Sequence, residues 1–167
     1  MEKSAGGDAP EEFKIGSTKS FKGHEGEPCY QGTLKLGSKV VCEWSDDSWG
    51  GPMRIDWRPG AEAARKLFEA QAEADPANAG LQYISKTEST ISEMVTAYLE
   101  KKELRDWCKK SIVLKTADCQ EGEFVRIKGA FDESNSKLVQ AIEARYPGAE
   151  IVNSRYPELC KAPAPAR

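Results

Sequence analysis

The apolar positions of this chain recur with two periods, first two residues and then about 3.6. In "EFKIGSTKSFKG", Phe13, Ile15 and Phe21 are separated by even numbers of residues, the spacing of a strand with one buried face. Gly16 interrupts that run and marks a bulge. In "YQGTLKLGSKVVCEW", Leu34 and Leu36 share a face and Gly37-Ser38 supply a two-residue turn. Val40, Cys42 and Trp44 then alternate on the way back. "MRIDW" repeats the alternation with Met53, Ile55 and Trp57. Strands over 13–23, 29–36 and 40–45, with a short fourth, make an antiparallel meander.

Helical spacing takes over after Pro59-Gly60. "AEAARKLFEAQAEA" consists of strong helix formers, with Ala64, Leu67, Phe68 and Gln71 or Ala72 on one face, and Pro76 stops it. A second helix opens with Ser85 and Glu88 in capping-box spacing and carries Ile91, Met94, Val95, Tyr98 and Leu99 as its stripe. Leu104, Trp107 and Cys108 fall on the other side of the same ideal helix. That predicts a break near Lys101-Lys102-Glu103 and a short helix beyond it.

The last third alternates again. "SIVLKT" and "EFVRIKGAF" read as paired strands, with Ile112 and Leu114 sharing a face with Val125 and Ile127. Asp132 is the expected cap of a helix striped by Leu138, Val139, Ile142 and Tyr146; "AEIVNS" is a final extended piece. Strands, then helices, then a hairpin with a helix predict an α+β fold. One domain is expected over 12–158. The small, charged and Gly/Pro-rich 1–11 and 159–167 read as disordered tails. The expected core is Leu34, Leu36, Trp44, Leu67, Ile91, Val95, Tyr98, Leu114, Val125, Ile127, Leu138 and Ile142.

A chain of 167 residues buries about 70% of its unfolded surface and needs no staples. The net charge of −3 provides no basic field for nucleic acid. The cysteines are Cys29, Cys42, Cys108, Cys119 and Cys160, an odd set without a C-x-x-C pair. That spacing disfavours a zinc site or a disulfide framework. With no apolar h-region and no run long enough to span a bilayer, the expectation is free thiols in a cytoplasmic protein that meets no membrane.

Familiar catalytic motifs are absent. "GSTKS" resembles a phosphate loop, but Thr18 stands where the second glycine belongs and the context is a strand. His24 is the only histidine, so no two-histidine metal site can form within one chain. Three groupings remain. His24, Glu25 and Glu27 lie on the first hairpin loop, and Asp46 and Asp47 follow the return strand. The meander brings both loops to one end of the sheet. Such oxygen donors suit Mg²⁺, Mn²⁺ or Ca²⁺, and they are equally the residues of solvated turns. Trp49, with Gly50 and Gly51 beside it, could serve as an aromatic interface anchor or fold back under the helices. Arg105, Lys109, Lys110, Arg126 and Lys128 form a basic set that could touch phosphates, with Trp107 its only interleaved aromatic. Cys29 lies near His24 but lacks the third group that a thiol nucleophile requires.

"FKGHEGEPCYQGTLKLGSKVVCEWSDDSWGG" and the later "LRDWCKKSIVLKT" and "LVQAIEARYPGAEIVNS" resemble small proteins of phages, plasmids and other mobile elements. The resemblance implies a small cytoplasmic protein, often without enzymatic activity, that in some cases binds a host defence protein as anti-CRISPR proteins do. An acidic loop with an aromatic is similar to what those inhibitors insert into basic nucleic-acid channels. The leading expectation is therefore a binding protein without a cofactor. It would present His24, Glu25, Glu27, Asp46, Asp47, Trp49, Gly50 and Gly51 to a host or self protein, or to a small ligand. Nucleic acid is not an expected partner. The alternative is a metal-dependent hydrolase or phosphoesterase built on His24, Asp46 and Asp47.

Overall fold

The structure, a computed structural model, describes residues 11–47 and 50–160. The expected tails fall almost entirely outside them. The fold is α+β, with an antiparallel four-stranded meander, central helices, and a C-terminal hairpin with its own helix. The chain divides into two compact units, Met1–Tyr98 and Leu99–Arg167.

In the first unit, β1 (Phe13–Lys22), β2 (Pro28–Leu36), β3 (Lys39–Asp46) and β4 (Arg54–Trp57) follow one another across the sheet. Gly37 makes the β2–β3 turn at φ 59°, a left-handed conformation that glycine adopts without a Cβ clash. The face carrying Leu34, Cys42 and Trp44 is buried. Trp44 lies directly opposite Gly32, and a Cβ on Gly32 would collide with the Ser17 carbonyl and the Trp44 indole. The missing side chain is what lets the large ring lie against the sheet.

Two bulges alter the alternation. Ile15 faces Leu34 while Thr18 faces Gly32, so β1 carries one extra residue after Gly16. The Thr33 hydroxyl fills the gap by accepting the Ser17 N–H at 3.0 Å. One added residue reverses which face every later side chain takes. Phe21, expected on the face of Phe13 and Ile15, therefore lands on the other one and is 38% exposed. In β3, Cys42 faces Leu34 and Val40 faces Lys35. Val41 is the extra residue, and both Val41 and Cys42 are buried.

Helix α1 (Glu62–Ala74) buries Ala64, Phe68 and Ala72. The Phe68 ring stands edge-on to Phe13, centroids 4.9 Å apart, with Trp57 at 6.0 Å. Leu67 was expected in this core but is 45% exposed, whereas Phe68 is 1% exposed. The buried residues form a strict i, i+4 row, and Leu67 sits about 100° away from it. The flanking alanines keep the rest of the row small, so the one large ring seats against the sheet. Buried Asn78 ties the end of α1 to the next helix, its Nδ2 donating to the Ala72 carbonyl and the Thr90 hydroxyl, both at 2.9 Å.

Helix α2 runs unbroken over Lys86–Lys110, which corrects the break expected near Lys101-Lys102-Glu103. Those three residues are strong helix formers with no Gly or Pro among them. The change of stripe has another cause. Ile91 and Val95 are buried in the first unit, whereas Cys108, with Leu104 and Trp107, packs in the core of the second. Glu88, expected in a local capping box, instead has its carboxylate accepting the Met53 N–H at 2.7 Å.

In the second unit, β5 (Ser111–Lys115) lies between β6 (Val125–Lys128) and β7 (Glu150–Ile151). Ile112 faces Ile127 and Leu114 faces Val125, as the alternation predicts. These residues pack with Phe131 and with Ile142 and Leu138 of α3 (Ser136–Arg145). Val113 points the other way, into a cluster with Cys108 and Val152. Burial on both faces explains the continuous apolar run Ile112-Val113-Leu114. The cap of α3 is Asn135, whose side chain accepts the Leu138 N–H. Asp132, expected in that role, instead accepts the Ser134 N–H and hydroxyl. Of the expected core, Leu36, Tyr98, Val125, Ile127 and Leu138 are half-buried.

Asn153 is the polar centre of this unit, 2% exposed. Its Oδ1 accepts the Val113 N–H at 2.7 Å, and its Nδ2 donates to the carbonyls of Cys108 and Ser111 at 3.1 and 3.0 Å. Replacing it by Leu strands two buried backbone groups and one part-buried one, each costing about 1–3 kcal/mol when buried. Urea unfolding of Asn153→Leu should therefore show a loss of roughly 3 kcal/mol or more; a midpoint equal to the parent would refute the role. In the first unit, Phe68→Ala should cost about 3–5 kcal/mol, while Leu67→Ala should stay within about 0.5 kcal/mol of the parent. The reverse order would mean that α1 packs through the other face.

Candidate functional site

The loop between β1 and β2 is a glycine turn. Gly23 N–H donates to the Glu27 carbonyl at 2.8 Å and Gly26 N–H to the Gly23 carbonyl at 3.2 Å. Gly26 adopts φ 86°. The Glu27 carboxylate bends back to accept the Glu25 N–H at 2.8 Å and is half-buried. Glu27 thus shapes the loop, while His24 and Glu25 are exposed at its tip.

Asp46 pairs with Tyr30 at the end of the sheet. One residue further on, the buried Cys29 thiol donates to the Asp47 carbonyl at 3.1 Å and lies 3.8 Å from that of Glu27. The two loops therefore meet at one end of the sheet, as the strand order requires. Asp46 is half-buried; Asp47, Gly50 and Gly51 are exposed. Trp49 lies outside the described residues. Sharing an end of the sheet is not convergence: among the described residues, no three His, Cys, Asp or Glu side chains gather closely enough to hold a metal ion. Cys29 has a structural use, because its S–H closes the two loops on each other.

All five cysteines are free thiols. Burial, reinforced by the Asp56 carboxylate, pushes Cys42 up to about 11. Burial also raises Cys108 and Cys160. Cys119 moves the other way. The Thr116 hydroxyl, 3.2 Å from its sulfur, holds its thiol below the ordinary range, helped by the Thr116 backbone and the Lys115 charge. The signal in the sequence was Thr-x-x-Cys within a polar turn.

Several members of the basic set are already engaged. Arg105 pairs with Glu158 at 3.1 Å and Lys109 with Asp106 at 2.6 Å. Arg126 rests on the Trp107 ring, 4.6 Å from its centroid. Aromatic partners are more plentiful than the local sequence suggested, since Phe124 and Tyr146 also lie beneath cations. Among the described residues, no helix is long and apolar enough to cross a membrane. No family model, curated protein or solved structure matches the chain.

The thiol environments order their reactivity. At neutral pH a lowered thiol holds more thiolate, the attacking species. Iodoacetamide labelling followed by peptide mass spectrometry should modify Cys119 first and Cys42 last. Thr116→Val should slow Cys119 by removing the hydroxyl that stabilises its thiolate. Equal rates for Cys119 and Cys160 would contradict this assignment.

Proposed function

We propose that this is a small cytoplasmic binding protein, not an enzyme, that presents the acidic end of its N-terminal sheet to a basic surface on a partner protein. The observation that carries this reading is the bond from the Cys29 thiol to the Asp47 carbonyl. It holds the two loops together before any partner arrives, so exposed Glu25 and Asp47 belong to one preorganised face. Preorganisation reduces the ordering cost of association, and complementary charge speeds encounter and fixes register. Among the described residues, the carboxylates do not gather as a metal-dependent hydrolase would need. Following the resemblance to mobile-element proteins, the proposed partner is a host defence protein, met at a surface that otherwise holds nucleic acid. The protein then acts as an inhibitor by occupation. Trp49 is its proposed aromatic anchor.

Affinity capture from host lysate, read by mass spectrometry, tests the proposal. The parent chain should retain a nucleic-acid-binding protein that polyanions displace. Asp46→Lys with Asp47→Lys should lose it, and Trp49→Ala should weaken binding by about 2 kcal/mol or more, each with the parent melting temperature. Capture of the same proteins by all variants would overturn the assignment of this face.

A further inference from the structure

Seven arginines lie in the described residues. Five of them, Arg54, Arg58, Arg65, Arg105 and Arg155, pair with a carboxylate at 2.6–3.1 Å. The two that make no such pair among the described residues, Arg126 and Arg145, line the same cleft of the second unit. Carboxylates are not scarce, since Asp and Glu outnumber Lys and Arg by 27 to 24.

The cleft has a volume of about 790 Å³ and lies between the β5–β6 turn and the end of α3, walled by Trp107, Phe124 and Tyr146. Each unpaired guanidinium rests on an aromatic face, Arg126 at 4.6 Å from the Trp107 centroid and Arg145 at 5.6 Å from that of Tyr146. Phe124 meets Trp107 edge-on at 6.3 Å, which braces the first of these stacks. A stacked guanidinium uses its face and keeps the N–H groups of its edge for an acceptor. The charges of Glu123 on the wall and of Lys115 behind Phe124 are differently engaged. The Glu123 carboxylate accepts the Gln120 N–H at 3.0 Å, and the Lys115 ammonium is held by the carbonyls of Gln120 and Glu123. Asp118 is exposed on the turn and is paired with neither arginine.

We infer that this cleft is a binding site for a small anion with a flat apolar body, its oxyanion held by Arg126 and Arg145 and its ring set against the aromatic wall. The volume falls in the range of small-ligand pockets, about 300–1,000 Å³, and two guanidinium forks suit the oxygens of a phosphate or carboxylate. The site is independent of the acidic loops of the first unit.

The test uses the full chain with naphthyl phosphate, naphthoate and neutral naphthalenemethanol as calorimetric probes. Cys119 also lines the cleft, so its iodoacetamide labelling gives a second readout of occupancy. At least one of the two anions should bind saturably and slow Cys119 labelling, and the neutral probe should do neither. Which anion binds more tightly identifies the oxyanion. Arg126→Met and Arg145→Met should each weaken binding about tenfold, the loss of one charge-assisted contact, without lowering the melting temperature. Saturable binding of neither anion, equal binding of the neutral probe, or unchanged affinity in the double variant would overturn the site.

Discussion

The second unit depends on a single side-chain amide. Helix α2 ends at Lys110 and β5 begins at Ser111, so no loop intervenes to satisfy the backbone where a helix becomes a strand. The last carbonyls of a helix have no partner within it, and the new strand needs an acceptor for Val113. On its far side β7 stops at Ile151, opposite Leu114. Asn153 reaches across where the ladder ends and takes the Val113 N–H together with the Cys108 and Ser111 carbonyls. An amide is one of the few side chains with both a strong acceptor and two donors, which suits it to this junction.

That junction also sets the cleft. With β5 held at Val113, the residue opposite on β6 is Arg126, and Trp107 lies in the last turn of the helix feeding β5. The guanidinium comes to rest on the indole because helix, strand and partner strand share one anchored point. In the first unit the corresponding constraint is parity. The bulge after Gly16 and the extra Val41 decide which face the side chains beyond them take, and the Cys29–Asp47 bond closes the far end of the same sheet. The two units thus offer different surface chemistry, acidic loops on one and stacked arginines on the other.

Much of this was legible in order and type. Period-two and period-3.6 spacing located the meander, both long helices and the C-terminal hairpin, and topology alone brought the loops of His24 and Asp46 to one end. Most of the misreadings share a cause. Phe21, Leu67 and the break near Lys102 were each judged from neighbours in the chain, whereas each was decided by residues distant from it or by a one-residue change of phase; the cap moved only from Asp132 to Asn135, within one turn. The Arg126–Arg145 cleft escaped notice because its walls come from different elements, whereas Cys119 is tuned by Thr116, three residues away, a local signal that was passed over.

The sequence by itself determined the α+β class, the strand order and the residues with chemistry to offer, because periodicity, turn residues and helix propensity act over a few residues at a time. Only the tertiary structure decided which faces the bulged strands present, that one continuous helix carries apolar residues of two cores, and which arginines find carboxylates. Those outcomes rest on distances between residues far apart in the chain, and no local pattern encodes a distance.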